Sequence, residues 1–369
     1  VSLGVLICCA CGDDPAGAAV AVLAGKGFDG AEQPQVAVSP AGKVYLVFGV
    51  HNTVYCTSSV DGGKSYGEPV KVGQVGALAL GVRRGPRVAA TDRAVVVTAV
   101  GGQTGHGRDG DLLAWRSAEG GKTWKGPIRV NSVPGSAREG LHHTAAAPDG
   151  TVYCVWLDLR AGKMQVWGAA SADGGASWHG EKLLYRSPEG SVCECCQPQV
   201  AYDARGTLLV MWRNHLGGAR DMYLLRSPDH GKTLGRAVKL GRGTWPLDAC
   251  PMDGGGLAGT AGGEVVTVWR RGREVFRCAP GASEVRLGEG EQPWAAAGPG
   301  GVYLVWNAAR PGPVLALLPG GDGPRRLADS GSDPVVAAPV GGGGPVVAAW
   351  EDGPPSRKRI RASVLAPGR

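Results

Sequence analysis

The sequence predicts an all-β fold, a β-propeller of four-stranded antiparallel blades, and three observations lead to it. Short apolar runs rich in β-branched residues recur along the chain, each closed by turn residues. Glycine supplies 63 of 369 residues and aromatics only 6%, a composition that favours many turns over long helices. The runs also repeat as units of similar length, the signature of a radial or stacked architecture.

The stretch from Gly190 to Gly241 shows one unit in full. Its strand-length runs are Gln199 to Tyr202, Thr207 to Trp212, Asp221 to Arg226 and Ala237 to Leu240. The breaks between them are Asp203-Ala204-Arg205-Gly206, Leu216-Gly217-Gly218 and Pro228-Asp229-His230-Gly231. Four short strands in succession, joined by tight turns, make one antiparallel sheet.

Each unit opens on a small-residue strand that leads, after a turn, into a strand ending in most units on an aromatic. Gln33 to Val38 leads to Val44–Phe48, Gly85 to Ala90 to Ala94–Val97, and His143 to Ala147 to Val152–Trp156. Gln197 to Ala201 leads to Leu208–Trp212, and Cys250 to Met252 to Val265–Trp269. Gln292 to Ala296 leads to Val302–Trp306, and Asp333 to Ala337 to Val346–Trp350. Seven blades are therefore expected, or six if the last two units, the shortest, merge. The last unit lacks an obvious fourth strand, and Ala19 to Leu23 lacks a unit of its own. Pairing that segment with the strand containing Ser363 and Val364 closes the ring. Residues 19–369 then form a single propeller domain.

Residues 1–18 read as an export leader. The apolar run near the N-terminus is far shorter than the ~20 residues a membrane helix needs, and Ala10-Cys11-Gly12-Asp13 resembles a lipoprotein cleavage box with Cys11 as the lipidated residue. This predicts a protein of the periplasm or outer surface, touching membrane only through a lipid anchor. The net charge of +7 permits an anionic ligand, but no long basic stripe argues for nucleic acid. Arg357-Lys358-Arg359 is the one tight basic run and reads as a solvated hairpin face. A monomer is expected.

A second repeat carries a family resemblance. Ser59-Val60-Asp61-Gly62-Gly63-Lys64-Ser65-Tyr66 recurs at Ser117 to Trp124 with Glu119 in the acidic place, at Ser171 to Trp178 with Asp173, and at Ser227 to Leu234 with Asp229. In the fifth unit Cys278 stands at the serine position and the motif is gone. The motif resembles the Asp-box of sialidases and related BNR-repeat propellers. Its carboxylate accepts backbone N–H bonds in a hairpin turn, glycine supplies positive φ, and the aromatic packs back over the turn. Glu119 and the missing aromatic of the fourth copy predict two looser boxes. These boxes are folding devices on the outer rim and say little about activity. Most of the chain after its first third is also similar to exported bacterial Asp-box proteins labelled sialidase-like.

Sialidase chemistry requires an arginine triad for the substrate carboxylate, because guanidinium forks match it bidentately. It also requires a tyrosine nucleophile with a glutamate partner and an aspartic acid/base. The first-blade Arg-Ile-Pro motif is absent, and Arg84-Gly85-Pro86-Arg87 is a poor substitute in the second unit. Arg138, Arg213, Arg220 and Arg270, with Asp158 and Asp221, are the candidate ligand-binding residues. Tyr303 falls inside a strand, so no catalytic set is assigned.

The connection into each innermost strand lies on one face of a propeller. In three consecutive units it holds His142 and His143, then Cys193, Cys195 and Cys196, then Cys250 with Met252. Thiolate, thioether and imidazole suit copper(I) or zinc, and disulfides are the alternative in an oxidising compartment, with Cys193 or Cys196 to Cys250 the first pairing to test. Cys56 and Cys154 read as small core residues. Three functions stay open: a propeller that binds a carbohydrate or other anionic ligand at the channel mouth, with or without glycoside hydrolysis; a metal-binding or redox protein; and a non-catalytic scaffold.

Overall fold

The computed structural model describes residues 20–21, 28–340, 343–354 and 357–367. The proposed leader and Cys11 lie outside them. Among the described residues the regular structure is all strand, arranged as antiparallel sheets around one axis.

After β1 (Val20–Ala21), the first sheet is β2 (Glu32–Val38), β3 (Val44–Val50), β4 (Thr53–Ser59) and β5 (Val70–Gln74). The second holds β6 (Ala77–Leu78), β7 (Arg87–Ala90), β8 (Val95–Gly102), β9 (Asp111–Ser117) and β10 (Lys125–Arg129). The third runs β11 (His142–Ala146), β12 (Val152–Asp158), β13 (Gln165–Ser171) and β14 (His179–Tyr185). The fourth runs β15 (Gln199–Tyr202), β16 (Leu208–Arg213), β17 (Met222–Ser227) and β18 (Val238–Lys239). The fifth runs β19 (Gly256–Gly259), β20 (Val265–Arg271), β21 (Glu274–Cys278) and β22 (Val285–Glu289).

The remaining strands are β23 (Glu291–Gly298), β24 (Gly301–Asn307), β25 (Gly312–Leu317), β26 (Arg325–Ala337), β27 (Val346–Asp352) and β28 (Arg359–Leu365). They join with β1 into one seven-stranded sheet. The described residues thus form six hydrogen-bonded sheets where seven blades were expected, and the merger falls on the last two units. The cause is β26, a 13-residue strand with no turn between its halves. Its first half pairs with β25 as an outer strand, and its second half pairs with β27 beside the channel. The turn residues Asp329-Ser330-Gly331-Ser332 stay extended here, with Gly331 paired to Gly312 of β25 and Ser332 to Glu351 of β27.

Ring closure follows the expected route. Val20 pairs with Ala362 and Ala21 with Arg361, so β1 adds the outer strand beyond β28. Ala19, Val22 and Leu23 lie outside the described residues.

Burial peaks at the second strand of each sheet and is lowest at the outer strand. Every residue of β3, β12 and β16 is buried, because sheets cover both of their faces, whereas β10 is exposed throughout. That is why the second strand of a unit reads as a continuous apolar run ending in Phe48, Trp156, Trp212, Trp306 or Trp350, all buried. The cores lie between neighbouring sheets. One joins Tyr153 and Val155 to Val210 and Trp212, another joins Phe48 and Leu46 to Val347 and Trp350 across the closure.

The Asp-boxes sit in the turns after β4, β9, β13 and β17. Asp61 accepts hydrogen bonds from Lys64 N and Ser65 N, each at 3.0 Å, and Ser59 Oγ accepts from Gly63 N at 2.8 Å. Asp173 repeats the pattern with Ala176 N at 3.0 Å and Ser177 N at 2.9 Å. The Glu119 carboxylate keeps the bond from Thr123 Oγ1 at 3.0 Å and Gly121 N still donates to Ser117 Oγ at 2.9 Å, but the backbone bonds to the carboxylate have no counterpart there, as its extra methylene predicts. The fourth box is looser by one bond, since Lys232 N donates to the Asp229 carbonyl at 3.3 Å and not to its carboxylate. Asp229 retains Thr233 N at 2.7 Å and Thr233 Oγ1 at 2.8 Å, and Leu234 packs on the core in place of the aromatic. Each box also rests on the sheet before it, Gly175 against Val96 and Gly121 against Tyr45.

Candidate functional site

The channel is a cavity of about 550 Å³, lined by β2, β7, β11, β15, β19, β23 and the second half of β26. Its walls are mainly alanine, valine and glycine, because seven backbones crowd the axis, with Gln35, His143, Gln199, Tyr202 and Trp294 among the larger side chains.

At the face where the chain enters these strands, here called the upper face, a buried polar layer crosses the axis. Arg83 reaches from the loop before β7 to Gln292 Oε1 at 2.6 Å, Gln292 O at 2.5 Å and Pro334 O at 3.2 Å. Its guanidinium lies 4.9 Å from the Trp294 ring centroid. Gln33 Nε2 donates to Asp333 Oδ2 at 2.9 Å and to Glu351 Oε1 at 3.0 Å. Gln33, Arg83, Gln292 and Asp333 all have positive φ, which turns four large side chains into the layer at a backbone cost of ~1–3 kcal/mol each. Arg310 forks onto Asp333 at 3.0 and 2.7 Å. Lys358 pairs with Glu351 and Glu32, both at 3.0 Å, so this residue is turned inward and is no part of a solvated basic face.

The two histidines belong to this interior. His142 Nε2 lies 3.1 Å from Thr98 Oγ1, and His143 Nδ1 lies 3.0 Å from Val200 O with its ring edge-on to Trp294. Burial, then the charge of Arg87, pushes both imidazoles down, His143 to about 3. Burial and Arg83 in turn pull Arg87 to about 9. The expected meeting of His142 and His143 with the cysteines does not occur: both rings are held by other partners, and the sulfur cluster of the described residues contains no histidine.

The candidate ligand residues divide. Arg213, Arg220, Arg270 and Asp221 converge on the loop of residues 241–252, next to the upper face. Arg213 is 1% exposed and gives its guanidinium to three main-chain carbonyls, Asp253 O at 2.9 Å, Arg220 O at 2.7 Å and Arg270 O at 3.0 Å. Arg270 pairs with Glu291 at 2.6 Å and donates to Pro251 O at 3.2 Å. Asp221 accepts Thr244 Oγ1 at 2.7 Å and Trp245 N at 2.9 Å, and pairs with Lys239 at 2.9 Å. Arg220 N donates to Trp245 O at 2.8 Å. All four therefore build this loop and present Trp245, whose partly exposed ring has the guanidinium carbons of Arg213 and Arg270 at 5.1 and 5.6 Å. Asp158 stands apart, fully buried under Ser136, Trp156 and Arg160. Arg138 is partly buried on the loop before β11. Tyr303 is buried and donates to Pro299 O at 2.9 Å, so it is no nucleophile. Sequence reasoning missed Arg83 and Trp245. The one available signal for Trp245 was a lone tryptophan in a strand-free stretch.

The cysteines do gather. Cys193 Sγ lies 3.3 Å from Cys196 Sγ and 3.8 Å from Cys195 Sγ, and all three residues are buried. Met252 packs against them, Asp253 N donates to Cys196 Sγ at 3.3 Å, and Cys250 nearby is exposed. The described cysteines are free thiols, so the expected bridges from Cys193 or Cys196 to Cys250 are not formed. Hydrogen bonds with Cys195 and Cys196 hold the Cys193 thiol far below its usual range, with Arg213 adding a smaller pull, while the other two thiols are raised. Cys56 and Cys154 are buried in the cores, as expected.

A BNR repeat-like domain model matches residues 86–242. Among curated proteins, none matches the sequence. Solved structures share the fold over nearly the whole chain. A Dyadobacter fermentans protein of unknown function is 14% identical, with a TM-score of 0.56 over 94% of this chain and 97% of that one. The Penicillium chrysogenum alpha-L-arabinanase complexed with arabinobiose is 13% identical, with a TM-score of 0.55 over 94% and 98%. A Staphylococcus aureus virginiamycin B lyase with quinupristin is 12% identical, with a TM-score of 0.52 over 94% and 98%. Hydrolase and lyase share this ring, so at such identities the likeness carries the fold and leaves the chemistry to the residues.

Proposed function

We propose that this chain, a BNR-repeat propeller of sialidase-like fold, is an exported carbohydrate-binding protein that holds its ligand on the upper face without hydrolysing it. The observation that carries this is the Trp245 loop. An indole ring backed by two guanidinium groups offers an apolar platform for the C–H face of a sugar, with charged groups at its edge for hydroxyl or carboxylate contacts. The leader-like residues 1–18 support export. Hydrolysis is left out because Arg213 is saturated by carbonyls and Tyr303 is buried in a strand.

Calorimetric titration with arabino-oligosaccharides and sialylated oligosaccharides tests this. At least one is expected to bind with Trp245→Ala weakening it about tenfold or more, the equivalent of ~1.4 kcal/mol. Fluorogenic sialoside and arabinofuranoside substrates should release no product above the uncatalysed rate. Turnover, or binding unaffected by Trp245→Ala, would overturn the proposal.

A further inference from the structure

The sulfur cluster is separate from every other core of the molecule. Its buried members are Cys193, Cys195 and Cys196, its partly buried neighbour is Met252, and it includes no aliphatic or aromatic residue. A cysteine buried as a small hydrophobe is normally dispersed among aliphatic side chains, as Cys56 is among Val47, Val54 and Val97. Three thiols in mutual contact need another account.

The cluster is built from two connections in neighbouring sheets. The 193–196 segment enters β15, and Cys193 N is fixed to Arg213 O at 3.0 Å. Residues 250–253 enter β19, and Asp253 N is fixed to Cys196 Sγ. Both backbones are thus tied before any ligand arrives, and the three sulfurs lie within 4.8 Å of one another. Three sulfurs ~2.3 Å from a common ion, in trigonal array, would be spaced ~4 Å apart. The observed 3.3 and 3.8 Å contacts need only small side-chain rotations to reach that spacing.

We infer that Cys193, Cys195 and Cys196 form a binding site for a single copper(I) ion, with Cys250 and Met252 at its solvent side. All these donors are soft sulfur. The cluster has no imidazole or carboxylate ligand, and the exposed Cys250 is not among the sulfurs that lie within 4.8 Å of one another, so the fourth donor of a closed zinc tetrahedron is not in place, whereas three thiols beside a thioether suit copper(I). Exposure falls from Cys250, open to solvent, to Cys195 at 8%, then to Cys196 at 1% and Cys193 at 0%. An incoming ion therefore meets Cys250 and Cys195 first.

The test is anaerobic titration of the reduced full-length protein with copper(I) against a chromogenic chelator. One equivalent is expected to be retained, with a sulfur-to-copper charge-transfer band in the ultraviolet. Cys196→Ser should weaken retention by ~100-fold or more, the upper range for losing even an indirect support of a metal ligand. Cys278→Ser, in a different core, should bind as the parent does. Should Cys196→Ser fail to fold, Cys195→Ser takes its place, with near-ultraviolet circular dichroism reporting the fold. Three results would overturn the inference: no copper retained while a thiol assay finds the sulfurs free, stoichiometric zinc held in preference to copper(I), or a Cys193–Cys196 disulfide that persists in mild reductant.

Discussion

Replacing Gly175 with alanine separates two roles of the Asp-box, turning the hairpin and bracing one sheet on the next. Gly175 has φ +86°, and a Cβ there would lie 2.8 Å from Val96 Cγ2 on β8 of the preceding sheet. Gly162, in the same sheet, has φ +71° and open space where its Cβ would go. Alanine in the left-handed region costs ~1–2 kcal/mol at either site. Only at Gly175 is there an added overpacking cost of ~1–3 kcal/mol, because Val96 is 0% exposed and has no room to withdraw. Urea unfolding should therefore place Gly175→Ala well below Gly162→Ala in midpoint with similar slopes. In a Val96→Ala background, which removes the opposing methyls, the added cost should largely vanish, a coupling of the same ~1–3 kcal/mol. Equal losses at the two glycines, or no coupling to Val96, would refute the bracing role.

Deleting the chain through Leu23 removes β1 and leaves β28 as an unpaired edge, so the melting temperature should fall; an unchanged melting curve would show that the Val20–Ala362 pairing does not support the ring. Acid should weaken the boxes in a defined window. Burial opposes ionisation of Asp173, but hydrogen bonds led by Ser177 hold its carboxyl at about 2, and hydrogen bonds led by Thr233 N hold Asp229 at about 2. Both folded values lie below the unfolded ~3.9, so their contribution is complete above about pH 4 and is lost as the pH falls through about 2. The urea midpoint should decline across that range, and less steeply in a variant with Asn at positions 173 and 229; an identical slope would count against these bonds.

The fold was legible because its signals are local and repeated. Alternating and continuous apolar runs, Gly-Gly turns and the Ser-x-Asp spacing each need only a few neighbouring residues, and they predicted the strands, the sheet order and the β1–β28 closure. The blade count was not fully legible, since Asp329 to Pro334 carries turn residues at the unit boundary, yet the backbone runs through them as one strand, β26, that serves two sets of partners. The site was partly legible. Position in the repeat brought Cys193, Cys195, Cys196 and Met252 together. That Arg213, Arg220, Arg270 and Asp221 meet at one loop was not legible, because their shared partners lie in residues 244–253. Position failed for His142 and His143, because entering the same face does not fix which way a side chain points. Alternation sends His142 toward Thr98 and His143 toward the channel and Trp294. It also failed for Arg83, whose partners Gln292 and Pro334 lie more than 200 residues away.

Arg213 shows why these residues cannot be judged by charge alone. On a propeller ring a buried arginine near the channel mouth invites the role of substrate clamp, and loss of activity on its removal would be taken as proof. Here its guanidinium joins the main chain at Asp253, Arg220 and Arg270, and its own carbonyl anchors Cys193 N. Removing it takes the donor from the buried carbonyl of Asp253, at ~1–3 kcal/mol, and from the half-buried carbonyls of Arg220 and Arg270, and loosens the Trp245 loop and the sulfur cluster together. An Arg213→Ala variant would therefore lose sugar and copper binding alike, whatever the ligand. Trp245→Ala and Cys195→Ser are the informative pair, because the first leaves the sulfurs in place and the second leaves the indole in place. If each abolished only its own ligand, the upper face would hold two independent sites. If either abolished both, the two would be parts of a single site joined through Arg213.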